Sequence, residues 1–80
     1  MKPADVRKIR TLDVRPLLAR GEEPREAVLK AAAVIGPHEG LMLIAPFLPS
    51  PLIERLHMDG FSARPERLPD GSWQTFFWRE

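Results

Sequence analysis

The sequence contains no cysteine. That absence excludes disulfide bonds, thiolate catalysis, persulfide carriage and cysteine-bound metals. No apolar stretch approaches the roughly 20 residues that a membrane-spanning helix needs, because the run Leu41–Leu48 has the length of a strand and is interrupted by Pro46. Residues 1–7 lack the apolar core of a signal peptide, so we expect a cytoplasmic protein with no membrane partner.

The chain also lacks an excess of either positive or negative charge. The chain has 12 Lys and Arg residues against 11 Asp and Glu residues, for a net charge of +1. A dedicated nucleic-acid binder carries a strongly basic face, so this balance argues against a nucleic-acid partner. Eighty residues suffice for one domain. We assign residues 8–80 to that domain and expect residues 1–7 to form a flexible N-terminus.

Proline, by contrast, is abundant, with nine in the chain, and most prolines mark the ends of predicted elements. Lys8–Val14 alternates between two faces and predicts a first strand. A loop over residues 15–22 leads to a helix with Pro24 at its first position. That helix runs to about Ile35, because Gly36-Pro37 is a strong stop signal.

The second predicted strand, Leu41–Ala45, is a nearly continuous apolar run, which is typical of a strand that is covered or central in its sheet. A second helix follows a short loop. Ser50 is its predicted N-cap and Pro51 its first residue. The helix ends at Asp59-Gly60.

The last part of the chain predicts a β-hairpin. Asp70-Gly71 is a strong turn signal between Phe61–Arg67 and Trp73–Arg79. Pro65 cannot donate to a ladder, so its strand belongs at an edge. With right-handed crossovers, these features predict an α+β fold: a two-layer β-α-β-α-β-β sandwich whose four-stranded mixed sheet has the order 1-2-4-3, with two helices on one face.

This pattern resembles the bacterial TusA-like (SirA-like) sulfur-carrier superfamily. The resemblance rests on Leu12-Asp13 in the first strand, Gly40 before the second, the Pro49–Leu52 segment, Asp70-Gly71, and Glu23-Pro24 at the start of the first helix. The sulfur carriers have a Cys-Pro pair where Glu23-Pro24 stands. The chain therefore resembles a cysteine-less, uncharacterised branch of that superfamily, the domain of unknown function 2249. The resemblance implies the same fold without sulfur-carrier chemistry.

Three charged residues flank the junction between the first strand and the first helix. Asp13 and Arg15 lie two residues apart and within reach of each other. They either form an anion-receiving pair or a local ion pair that fastens the loop, and the pattern favours the ion pair. Glu23 is either a general base or metal ligand, or a carboxylate that complements the helix dipole for roughly 0.3–1 kcal/mol. The second interpretation is favoured, since no nucleophile lies nearby in sequence.

His38, Glu39 and His57 are the only candidates for a metal site of nitrogen and oxygen ligands. A metal centre needs three or four converging ligands. Two histidines without a motif are more typical of a surface, so we expect neither a metal nor another cofactor.

The last strand places aromatic side chains on both sides of the sheet. Trp73 and Phe77 point one way, and Phe76 and Trp78 point the other. Two helices cover only one side, so the second set is predicted to form an interface with another subunit or a protein partner. Stacking of RNA bases on the same platform is a third possibility.

The sequence thus favours a non-enzymatic domain that binds a small ligand or a protein and that forms a homodimer or a protein complex through the open sheet face. The alternative is a redox- or metal-associated accessory, or an enzyme, that uses Asp13, Arg15 and Glu23. An RNA-associated module is the third hypothesis.

Overall fold

The computed structural model describes residues 6–79. The predicted flexible N-terminus falls largely on residues 1–5, which lie outside the described residues. Seven elements follow one another: β1 (Lys8–Asp13), α1 (Arg15–Ala19), α2 (Arg25–Ala33), β2 (Glu39–Ala45), α3 (Ser50–Met58), β3 (Phe61–Arg67) and β4 (Trp73–Arg79). The strands form one mixed sheet in the order β1-β2-β4-β3. This arrangement confirms the predicted α+β fold and strand order.

The sheet combines one parallel pair with two antiparallel pairs. β1 runs parallel to β2, and β4 runs antiparallel to both β2 and β3. The backbone N–H of Leu68 donates to the carbonyl of Ser72 at 2.8 Å and so continues the ladder that pairs Glu66 with Gln74. Because alternate residues of an antiparallel strand face the neighbour, Pro65 points away from β4. Its missing donor therefore leaves the ladder intact, as the edge position requires.

The hydrophobic core lies on one face of this sheet. Leu41, Leu43 and Phe77 project from the two central strands and are at most 1% exposed. They pack with buried residues of the helices, Val28 and Leu56 among them. Full burial of a side chain such as Phe77 stabilises the fold by roughly 1.5–3 kcal/mol. Both long helices therefore lie on the same side of the sheet, as predicted.

The stretch predicted as a loop over residues 15–22 contains a short helix. Pro16 stands in its first turn, where a fixed φ favours helical geometry and no N–H is needed. Leu17 and Leu18 are half-buried, and Leu18 packs against the core. Five residues are too few to show a helical period in the sequence, which is why pattern alone predicts a loop.

Both long helices begin one residue away from the predicted start. Pro24 is the N-cap of α2 rather than its first residue. Pro49 is the N-cap of α3, and Ser50, the predicted N-cap, is already helical; no side-chain hydrogen bond caps this end. α2 also ends earlier than predicted, since Val34 is its C-cap. Pro51, the second residue of α3, has no N–H, so the first turn has one donor fewer for a cap to satisfy.

Candidate functional site

The face of the sheet opposite the helices carries an apolar surface, which we call the open face. Aligned rows of side chains from the four strands build it. Its apolar members are Ile9, Met42, Ile44, Phe76 and Trp78. Ile9 is 54% exposed, and the other four are half-buried. The predicted interface residues Phe76 and Trp78 thus stand together on the side of the sheet that α2 and α3 do not cover.

The centre of the open face is a stacked pair of aromatic rings seated on a glycine. The ring centroids of Phe76 and Trp78 lie 5.5 Å apart, with 28° between the ring planes. A Cβ atom added at Gly40 would run into the ring of Phe76, so that ring rests directly on the glycine backbone. Close approach of this kind requires a residue without a side chain. The glycine and the neighbouring ring explain why Phe76 is half-buried rather than exposed.

A shallow trough of about 340 Å³ lies beside this aromatic pair. Ile9, Met42 and Phe76 form its apolar part, and Arg64, Glu66 and Gln74 form its polar part. Gln74 Nε2 donates a hydrogen bond to Glu66 Oε1 at 2.7 Å. The open face is therefore apolar at the centre and polar along the β3 side, with one cation and one carboxylate next to each other on that strand.

Asp13 and Arg15 form a two-pronged ion pair at the end of β1. Arg15 Nη2 donates to Asp13 Oδ2 at 2.8 Å and Arg15 Nε donates to Asp13 Oδ1 at 3.0 Å. Arg15 Nη1 also approaches Asp70 Oδ2 at 3.3 Å and Ser72 Oγ at 3.4 Å. One guanidinium thus ties the start of α1 to the turn between β3 and β4.

The electrostatics of this cluster follow from its hydrogen bonds. The bonds from Arg15 hold the pKa of Asp13 below its usual value, and Asp13 in turn raises the pKa of Arg15. The backbone N–H of Ser72 is the main cause of the lowered pKa of Asp70. Two carboxylates already neutralise Arg15, so the contacts match the ion-pair interpretation; a role in binding an anion stays a prediction.

Glu23 lies apart from that cluster. Its carboxylate accepts a hydrogen bond from the backbone N–H of Arg25 at 3.2 Å, which suits the positive end of a helix. It lines a shallow apolar pocket of about 230 Å³ with Pro24, Phe47 and Leu52 among its neighbours. No hydrogen bond or ion pair of the described residues links Glu23 to the Asp13–Arg15 pair. The three residues predicted at this junction therefore divide between two places.

The two histidines and Glu39 do not form one group of ligands in the described part of the chain. Glu39 accepts a hydrogen bond from the backbone N–H of Gly36 at 2.8 Å, which is the main cause of its lowered pKa. Arg10 reaches its other carboxylate oxygen at 3.4 Å. His57 lines a concavity formed by α3 and β3, whereas His38 precedes β2. Within residues 6–79, no three His, Asp or Glu side chains form a group that could hold a metal ion.

Sequence reasoning missed three features of these sites. The contact between the Phe76 ring and the Gly40 backbone arises from the pairing of β2 with β4, and no local sequence pattern predicts it. The ion pair between Asp70 and Arg15 was not predicted, because Asp70-Gly71 was interpreted only as a turn signal. Phe47, which is 50% exposed, stands in a short loop, where no periodicity identifies an outward position.

Residues 11–79 match a protein-family model described as "Uncharacterized conserved protein (DUF2249)". The chain belongs to this family. The match covers every strand and helix of the fold except the start of β1. No curated protein and no solved structure matches the chain. The link from DUF2249 to the TusA-like sulfur carriers stays a prediction. Among the described residues of this DUF2249 member, no helix has the length and apolar character to cross a membrane.

Proposed function

We propose that this DUF2249 domain is a cytoplasmic, non-enzymatic protein-interaction domain that docks through its open face, with a second copy of the chain as the first partner. The observation that carries the proposal is the stacked Phe76–Trp78 pair on the side of the sheet that lacks helices. Apolar surface of this kind is typical of interaction sites, since clustered apolar side chains on a soluble protein gain free energy when a partner covers them.

The face offers a surface suited to a protein rather than to a reacting substrate. Its apolar centre is flanked by Arg64, Glu66 and Gln74, which resembles the apolar core and polar rim of protein interfaces. Arg64 and Glu66 carry opposite charges on this side of β3, so two copies can meet without an excess of like charge.

The enzyme alternative has weaker support. A catalytic pair needs its groups within hydrogen-bond reach of one reacting centre. Asp13 and Arg15 are bound to each other, and Glu23 lines a different pocket. Because these three charged residues lie in two separate places, their arrangement favours an interaction domain over an enzyme that uses all three in one active site.

The area of the open face sets the affinity that we expect for a contact between two copies. Four strands about 4.8 Å apart and seven residues at about 3.3 Å each give a sheet area of roughly 440 Å². A standard interface covers about 800 Å² on each partner. Each ring is already partly covered, so its further burial contributes roughly half of the 1.5–3 kcal/mol for a full side chain. A contact through this face alone is therefore weak, in the micromolar to millimolar range.

Sedimentation velocity over a range of protein concentrations tests the proposal. Phe76→Ser combined with Trp78→Ser removes the aromatic centre of the face and should weaken association relative to the wild type at the same protein concentration. The matched control is Phe47→Ser with Leu48→Ser, which removes an exposed apolar pair that is not part of the open face and should leave association unchanged. A wild type that stays monomeric at high micromolar concentration, with solubility that the first pair of substitutions does not alter, would contradict self-association.

A further inference from the structure

β1 is an edge strand with an open outer side. The backbone N–H of Val14 donates to the carbonyl of Ile44 at 2.9 Å. Because alternate residues of a parallel strand bond to the same neighbour, the even-numbered residues of β1 face β2. Ile9, Thr11 and Asp13 then direct their N–H and C=O groups outward. Within residues 6–79, no backbone hydrogen bond satisfies these outward groups.

The two edges of the sheet differ in how they are protected. On β3, the outward position Pro65 lacks a donor and interrupts the edge, which is one way that proteins prevent strand addition. β1 contains no proline or glycine. Its first four residues are exposed on their side chains, so the helices do not overhang this edge. The β3 edge thus lacks one outward backbone donor, whereas the β1 edge keeps all of its outward donors and acceptors, beside the charged side chains of Lys8 and Arg10.

We propose that two copies of the chain pair their β1 strands antiparallel, centred on Thr11, and form one continuous eight-stranded sheet. In this register Thr11 faces Thr11 of the second copy, and Ile9 faces Asp13. By the two-fold symmetry Asp13 also faces Ile9, which makes three hydrogen-bonded pairs. Each such pair exchanges two backbone hydrogen bonds, so the contact contains roughly six. A Thr–Thr pair across two strands is itself favourable.

Charge selects this register over its neighbours. Centred on Thr11, Arg10 faces Leu12 and no like charges stand opposite each other. A shift toward the N-terminus places Arg10 opposite Arg10, which is destabilising. A shift toward the C-terminus pairs Leu12 with Leu12 but leaves Ile9 beyond the strand of the second copy. The register at Thr11 therefore combines the most hydrogen bonds with no charge conflict.

Pairing of the two β1 strands would join the open faces of both copies into one larger surface. A two-fold axis perpendicular to the sheet keeps both open faces on the same side. Their combined area is roughly 880 Å² by the same strand spacing, which reaches the standard size for one side of an interface. This consequence rests on the proposed function of the open face, whereas the strand pairing rests on the β1 edge alone.

Single-cysteine variants test the pairing directly, because the natural chain has no cysteine. In a hydrogen-bonded antiparallel pair the two Cα atoms are about 5.5 Å apart, within reach of a short thiol-reactive cross-linker. Thr11→Cys should therefore give a covalent dimer in high yield. The matched control, Arg64→Cys, places its thiol on the same face of the sheet as Thr11 but on the opposite edge strand, which Pro65 interrupts. It should give at least about tenfold less dimer at the same concentration.

Thr11→Pro tests the hydrogen bonds of the edge without disturbing the sheet. The N–H of Thr11 points away from β2, as the nitrogen of Pro65 points away from β4, so the variant retains the β1–β2 ladder. It removes two central hydrogen bonds of the pair, and we expect dimerisation at least about tenfold weaker than that of Thr11→Val. Circular dichroism confirms that both variants are folded.

The outcomes separate this proposal from the proposed function. If Thr11→Cys cross-links no better than Arg64→Cys, the strand pairing is wrong, whatever the effect of the Phe76 and Trp78 substitutions. If Thr11→Cys cross-links strongly while the open-face substitutions change nothing, the edge pairing stands and the open face fails. An edge filled instead by an extended segment of another protein would leave Thr11→Cys unlinked, and this result too would overturn the proposal.

Discussion

Substitution of Gly40 by alanine should disturb the open face from beneath. In an unobstructed strand, Gly→Ala stabilises the fold by about 0.5–1 kcal/mol because it reduces the freedom of the unfolded chain. Here the new Cβ would meet the ring of Phe76 and would lie 3.2 Å from the carbonyl oxygen of Phe77. Overpacking costs about 1–3 kcal/mol, and a displaced Phe76 also loses its stacking on Trp78, worth about 0.5–1.5 kcal/mol. We expect a net loss of about 1–3 kcal/mol.

The cause of that loss can be isolated with a double-mutant cycle. In a Phe76→Ala background the ring is gone, and Gly40→Ala should become nearly neutral or stabilising. Urea unfolding of the four proteins should therefore give a coupling free energy of about 1–3 kcal/mol between the two positions, within the range for residues in contact. Near-ultraviolet circular dichroism of Gly40→Ala should also change, because Trp78 loses its neighbouring ring.

The reasoning would be refuted by additivity. If the two single effects sum to the double effect within about 0.3 kcal/mol, the ring of Phe76 does not rest on Gly40. Its half-buried state would then have another origin.

Three further predictions concern the core and the charged cluster. Thr75 is fully buried and its hydroxyl lacks a hydrogen-bond partner among the described residues, so Thr75→Val should raise the free energy of unfolding in urea by about 1 kcal/mol; a loss would reveal a partner. Leu56→Ala should lower that free energy by about 2–5 kcal/mol, whereas Met58→Ala, at an 82% exposed position, should change it by less than about 0.5 kcal/mol. Asp13 and Asp70 have lowered pKa values in the folded state, so their stabilisation is present above the ordinary value of 3.8 and is lost as the pH falls through the lowered values. Unfolding curves of Asp13→Asn across that range should show a shallower acid loss than the wild type, and an equal slope would count against the ion pair.

The strand order could be predicted because its signals are local. Pro65 identifies an edge strand, Asp70-Gly71 identifies a hairpin, and the apolar run at Leu41–Ala45 identifies a central strand. Each follows from which backbone donors or side-chain faces a residue type allows. Together they leave one arrangement of four strands, which the structure has.

The details of the candidate sites depend on contacts between distant parts of the chain. The seat of Phe76 on Gly40 and the approach of Asp70 to Arg15 both require strand register and loop geometry. Neither leaves a periodic pattern. The boundaries of the helices were also displaced by a residue, because Pro24 and Pro49 act as N-caps without a side-chain acceptor. Local sequence therefore predicts which face carries the aromatic pair but not how that pair is supported.

The exposure of Trp78 to a fluorescence quencher tests the central claim most directly. The chain has two tryptophans, so Trp73→Phe leaves Trp78 as the single reporter on the open face. If the chain associates through this face, the acrylamide quenching constant of Trp78 should fall several-fold from low to high micromolar protein, and the emission should shift to shorter wavelength. A quenching constant that is independent of protein concentration over this range would contradict docking of a second copy on the open face.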